Sequence, residues 1–179
     1  MMMPIGPLMI EHRLIERMIA LLAKEKDRLV AGGAPDPAKV RDGIDFMRSY
    51  ADRCHHGKEE DILFAELEGR PLSDELKAMM RRLKDDHQQA RRLLRDLERC
   101  NLAMEKGDLE VRQETIEVLR EITKLYPKHI EAEDRQFFVP VMQQFSPAEQ
   151  DIMLVRFYEF DQGLIHEKYQ KVVERHEGK

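Results

Sequence analysis

Residues 54–64 read CHHGKEEDILF. Two adjacent histidines are each followed four positions later by a glutamate, His55 by Glu59 and His56 by Glu60. Residues four apart stack on one face of an α-helix. The apolar stripe through Ile44, Ala51 and Ile62 passes through His55 at helical spacing, so the stretch reads as the interior of a long amphipathic helix. It is either a charged helix surface or half of a metal site, and the other helices decide between the two.

Working outward, helical periodicity dominates and no segment alternates convincingly as a strand. A first helix is expected from about Pro7 to Ala31, closed by Gly32 and Gly33, which adopt the left-handed cap conformation without strain. Asp36 caps a second helix, with Pro37 in its first turn, that runs to about Glu68. Ser73 caps a third, with Asp74 and Glu75 at the positive end of its dipole, ending at Gly107. A fourth begins at Asp108 and runs to about Met142, kinked rather than broken at Pro127. Ser146-Pro147-Ala148-Glu149 is a capping box opening a fifth segment, which Asp161-Gln162-Gly163 interrupts. Short loops make successive long helices antiparallel neighbours. The fold expected is all-α: an up-down-up-down four-helix bundle over about 8–145 with a C-terminal helical extension over about 146–179, residues 1–179 forming a single domain.

The composition agrees. An apolar fraction of 42% beside a charged fraction of 36%, without Trp, fits helices with one apolar stripe and charged outer faces. The net charge of −5 has interspersed signs and no basic block, so no nucleic-acid partner is expected. Cys54 and Cys100 form neither a CxxC nor a disulfide framework, which favours a reducing compartment. The opening MMMPIGPLMI lacks a preceding positive charge and contains Pro4, Gly6 and Pro7, making a poor signal peptide. No apolar run approaches the roughly 20 residues needed to span a bilayer. The chain is read as cytoplasmic, without a membrane partner and with its oligomeric state open.

Each long helix carries one inward histidine. His12 shares a face with Leu8, Ile15 and Ile19; His87 with Leu76, Met80, Leu83 and Leu94; His129 with Val118, Ile122 and Leu125. His56 lies about 100° round the helix from His55, away from the stripe, so His55 is chosen on the second helix. In each antiparallel pair the two histidines are nearly equidistant from the connecting loop, which puts His12, His55, His87 and His129 in one layer. Glu59 and Glu133 sit one turn beyond His55 and His129 on two parallel helices, and both step to the same side of that layer. Unpaired carboxylates buried there are costly. A pair of cations explains them, with six N/O ligands and room for water or a small diatomic ligand. Imidazole plus carboxylate suits iron, with manganese or zinc possible by ligand type.

The remaining candidates read as structural. Glu16 steps to the opposite side of the layer and is assigned to a salt bridge or a supporting role. Glu60 and His56 are assigned to the surface or to support, His166 to a solvent-facing position and His176 to a frayed tail. Cys54, Phe64, Phe137 and Phe138 are core packing residues. Arg81-Arg82 and Arg91-Arg92 are solvated helix faces.

Four segments, EHRLIERM (11–18), HHGKEEDILF (55–64), DHQQARRLL (86–94) and HIEAEDRQFFVP (129–140), together resemble the ligand-bearing segments of the hemerythrin-like, HHE cation-binding family. The resemblance implies His12, His55, Glu59, His87, His129 and Glu133 as ligands of a centre of two non-haem irons. The oxygen-carrying hemerythrins have a fifth histidine one turn after the third-helix ligand, where this chain has Arg91. The four-histidine, two-carboxylate set resembles the bacterial branch associated with nitrosative stress and iron-centre repair. Ferritin-like Glu-x-x-His spacing is absent from the sequence.

The function expected is a di-iron protein that binds O2, NO or peroxide at an open iron position, in sensing, storage, scavenging or iron homeostasis. The alternative is an enzyme on the same centre, a repair factor for iron centres or a peroxide or NO reductase. No flavin, Rossmann or CxxC element supplies electrons, so that reading needs a redox or iron-acceptor partner protein. A metal-free interaction bundle is the third reading.

Overall fold

The computed structural model describes residues 3–161 and 164–178. Gln162 and Gly163, within the expected interruption, lie outside the described residues. Helix α1 spans Ile5–Val30. It begins earlier than Pro7 because the Gly6 N–H already donates to the Met3 C=O at 2.8 Å, closing a turn, and Ile5 is buried. Gly32, with φ +85°, ends its register in the left-handed region as expected, whereas Gly33 does not take a positive φ.

The second rod is helical across residues 37–68 but changes winding. It starts as α2 (Pro37–Phe46), with the Lys39 N–H donating to the Asp36 carboxylate at 3.1 Å. It then passes through two π-helical segments, Met47–His56 and Glu59–Phe64, and ends in the short α3 (Ala65–Glu68). Helix α4 (Asp74–Glu105) is capped by Ser73, whose hydroxyl accepts from the Leu76 N–H at 3.2 Å. Helix α5 (Arg112–Ala132) starts four residues later than expected from Asp108. The Asp108 carboxylate accepts instead from the Glu110 N–H at 2.9 Å, a local turn that competes with helix. Pro127 sits inside α5 without breaking it, and the winding changes beyond it, in a π-helical segment at Glu133–Phe137 that leads into α6 (Phe138–Met142). The capping box at Ser146 and Glu149 opens α7 (Pro147–Phe160), and α8 (Leu164–Glu177) follows.

The long rods form a closed ring of neighbours. Helix α1 packs along α5, α5 along α4, α4 along α2, and α2 back on α1. This is the expected four-helix bundle. Helix α8 packs on α1 and α2, and α7 on the second π-helical segment of rod two. Among the described residues no helix is long and apolar enough to cross a membrane.

Among the described residues the core forms two clusters. A lower cluster contains Ile15, Met18, Leu22, Ile44, Leu94, Leu97, Leu119 and Ile122. An upper cluster contains Leu8, Ile62, Phe64, Leu83, Phe137, Phe138 and Val141. On α1, His12 falls between Leu8 of one and Ile15 of the other; on α4, His87 falls between Leu83 and Ala90. A polar layer thus crosses the bundle between two apolar plugs, away from bulk water.

Candidate metal centre

His12, His55, His87 and His129 are each at most 3% exposed and meet at this layer, as the register predicted. Their Nε2 atoms converge in pairs: His12 and His55 at 2.9 Å, His87 and His129 at 3.2 Å. Glu59 and Glu133 are wholly buried between the pairs. Imidazole nitrogens approach their oxygens to 3.2 Å (His12 and His129 to Glu133) and 3.4–3.5 Å (His87 and His55 to Glu59). None is aligned as a hydrogen bond, and all four carboxylate oxygens lack a hydrogen-bond partner.

The outward nitrogen, Nδ1, of each imidazole is held by a carboxylate from the preceding rod in the ring. His55 meets Glu11 at 2.7 Å, His87 meets Glu60 at 2.6 Å, His129 meets Asp86 at 3.4 Å and His12 meets Asp134 at 2.8 Å. A carboxylate accepts, so Nδ1 carries the proton and Nε2 presents its lone pair inward. Nitrogen lone pairs facing each other across 2.9 Å repel unless a proton or a cation lies between them. The donor set of neutral imidazoles and buried carboxylates, with orphaned oxygens, therefore fits metal cations.

At the layer, among the described residues, two groups of ligand atoms each lie within 4.8 Å of one another: His12, His55, Glu59 and Glu133, and His56, Glu59, His87 and His129. Glu59 belongs to both. The second group contains His56, assigned above to the surface or to support. His56 is buried, 1% exposed, and stacks on His87 with centroids 3.8 Å apart. The assignment assumed the step of about 100° per residue of an α-helix. In the π-helical segment Met47–His56 each turn holds more residues, the step is smaller, and both His55 and His56 reach inward.

Other side chains sort as follows. Glu16 is half-buried and pairs with Arg13 at 3.0 Å, in line with the salt-bridge assignment. Glu60 supports His87. Arg91 is not a merely solvated residue: its guanidinium donates to Asp52 at 2.8 Å and Glu60 at 2.9 Å. His166 is half-buried rather than solvent-facing, with Nδ1 2.8 Å from the Tyr50 hydroxyl and Nε2 against Asp161. His176 is tied to Asp42 at 2.8 Å. Cys54 is buried and donates to Asp161 at 3.1 Å; burial and the neighbouring Asp161 and Glu11 push its thiol far up, so it stays protonated. Cys54, Asp161 and His166 also cluster, but the Lys58 ammonium already lies 3.4 Å from Asp161, where a metal would be repelled.

Sequence reasoning missed Glu11, Asp86 and Asp134, which orient imidazoles on neighbouring rods, and the buried Lys58. The signal was present: an acidic residue stands directly beside a candidate ligand on every rod, at Glu11, Glu60, Asp86 and Asp134. Charge beside a ligand reads as surface unless the neighbouring helix is in view.

Without metal, protons balance the layer. Burial opposes charge on His12, but the Asp134 hydrogen bond and Glu133 raise it to about 9. Burial likewise opposes charge on His129, and Glu133 and Asp86 raise it to about 10. Burial would push Glu133 up, yet the imidazoliums of His129 and His12 hold it well below the usual carboxylate range. Glu59 is pushed up by burial and by Glu133. His56 is pushed well below its ordinary value by burial and by His87 and His129, and so is neutral.

Fold and layer together define a helical bundle whose buried histidines and glutamates are grouped as a cation site would need. The model of the hemerythrin HHE cation-binding domain matches residues 3–153, and the chain belongs to that family. No curated protein and no solved structure matches it.

Proposed function

We propose that the chain holds two iron ions through His12, His55, Glu59, His87, His129 and Glu133 and binds O2, NO or peroxide there, in sensing, storage, scavenging or iron homeostasis. The carrying observation is the set of four orphaned oxygens on Glu59 and Glu133, buried among inward Nε2 atoms. When bound, the metals supply an exchangeable coordination position and a ferrous–ferric couple. The chain's part is to hold neutral imidazoles in place through their Nδ1 protons, to balance charge with two carboxylates and to exclude water with two apolar plugs. The free, buried Cys54 and Cys100 suit a reducing compartment, and with it the cytoplasm. Residues 1–179 are taken as one domain, since α8 packs on α1 and α2 of the bundle.

The test is metal content and the optical spectrum of the ferrous protein before and after air, NO or peroxide. About two irons per chain, as two buried ligand groups require, with a new near-ultraviolet band on oxidation, is the expected result. Folded protein that takes up no iron overturns the proposal. Peroxide or NO consumed in large excess over bound iron shifts the reading to an enzyme with an external electron donor.

A further inference from the structure

We infer that His56 is a fifth imidazole ligand of the metal centre, so that the second rod supplies two adjacent histidines to it. The inference rests on the reading of the centre as a metal site. A ring nitrogen of His56 lies within 4.8 Å of ligand atoms of Glu59, His87 and His129. The ring lies flat against His87, with an interplanar angle of 13°, and parallel to Tyr126 at 6.2 Å. Stacking alone does not call for an imidazole; a phenyl ring would stack without bringing two polar nitrogens into the core. A buried imidazole needs both nitrogens accounted for. Nδ1 faces Asp52 at 3.3 Å. Nε2 is the nitrogen left for a cation.

Arg91 carries the argument further. It stands where the oxygen-carrying hemerythrins place their fifth histidine, yet its guanidinium is engaged by Asp52 and Glu60. Those two carboxylates hold Nδ1 of His56 and of His87. Arg91 thus joins the two anchors and holds the two rings face to face; because each imidazole lone pair lies in its own ring plane, His56 must turn out of this stack to reach the cation that His87 holds. The π-helical winding of Met47–His56 supplies the backbone that brings His56 inward. Such segments recur at functional sites because they re-aim side chains within a helix. The consequence is unequal sharing: His56, His87 and His129 gather on one side of Glu59, and His12 and His55 on the other.

The test is proton NMR of the full chain loaded with cobalt(II). Each ligating imidazole whose Nδ1 bears a proton gives one strongly shifted resonance that vanishes in D2O. Five such resonances are expected. His56→Asn keeps a donor for Asp52 but removes Nε2. It is expected to show four, with cobalt affinity lowered about tenfold or more. Four resonances in the unsubstituted chain, or five retained in His56→Asn, overturn the inference and leave His56 as a stacking residue. If His56→Asn does not fold, the count in the unsubstituted chain decides alone. A chain that takes up neither cobalt nor iron overturns the proposed function itself, and is distinct from a chain that binds metal and shows four.

Discussion

Glu11 accepts the Nδ1 proton of His55 at 2.7 Å with one oxygen and holds the Lys58 ammonium with the other. Glu11 is 2% exposed and Lys58 1%, so the carboxylate that orients this imidazole is neutralised by a cation without access to water. The corresponding anchors Asp134 and Glu60 meet Arg13 and Arg91, both partly exposed.

This difference separates two roles that one substitution usually confuses. Glu11→Gln leaves the buried ammonium only Asp161, at 3.4 Å, as a counter-charge. Metal-free protein should lose about 3–5 kcal/mol in urea unfolding. Asp134→Asn releases Arg13 to solvent and keeps an acceptor for the His12 Nδ1 proton, so it should cost less, about 1–2 kcal/mol. Both should weaken metal binding about 10–100-fold, because each leaves an imidazole without its carboxylate. Equal stabilities for the two variants would show that the buried pair has no special weight. Glu11→Leu with Lys58→Met, which removes both charges, should recover most of the loss.

Metal-free stability should peak near neutrality. His12, at about 9, and His129, at about 10, lie above the ordinary value of 6.5. Their contribution is complete below pH 6.5 and is lost as pH rises through 9 and 10. His55 is lowered to about 4 by burial and by His12, so its neutral buried form loses stability as pH falls from 6.5 through 4. Metal takes the place of the layer's protons. Loaded protein should therefore keep its stability to alkaline pH, and metal affinity should rise over the same range. Thermal unfolding from pH 5 to 10, with and without metal, checks this; identical profiles would mean that protons and metal do not compete for these nitrogens.

Gly57 lies between His56 and Lys58, and a Cβ there would come within 2.7–2.8 Å of the Phe160 ring. Gly57→Ala should displace the end of α7 and destabilise the chain by about 1–3 kcal/mol. Phe160 is partly exposed, so Phe160→Ala should be mild alone and should restore Gly57→Ala. Additive losses in the double variant, measured by urea unfolding, would place the strain elsewhere.

The bundle and the histidine layer were legible because an α-helix converts spacing into direction and loop distance into height. That arithmetic placed His12, His55, His87 and His129 at one level, with Glu59 and Glu133 beside them. It failed where the winding changed. His56 is buried within Met47–His56, which is π-helical, and no spacing rule for an α-helix reports that winding. It also failed across helices. Asp86 stands beside His87 yet serves His129, and Asp134 stands beside Glu133 yet serves His12. Such pairs are set by the packing of neighbouring rods, to which sequence adjacency is blind. Lys58 was illegible for the same reason, since its partner Glu11 is 47 residues away on another helix.

Glu59 offers the sharpest separation of function from stability. It is wholly buried, neither oxygen has a hydrogen-bond partner, and burial together with Glu133 raises its pKa. In the absence of metal such a group opposes folding, because charged or protonated it lacks the water it gave up. Glu59→Leu, which fills similar volume without polar atoms, should make metal-free protein more stable by about 1–3 kcal/mol in urea. The same substitution should abolish the rise in unfolding temperature that metal gives the unsubstituted chain, since ligand stabilisation requires binding to the folded state. Opposite signs from one side chain are what a residue kept for a ligand produces. A residue kept for packing would lower stability in both states, and that outcome in the chelated protein would remove Glu59 from the centre.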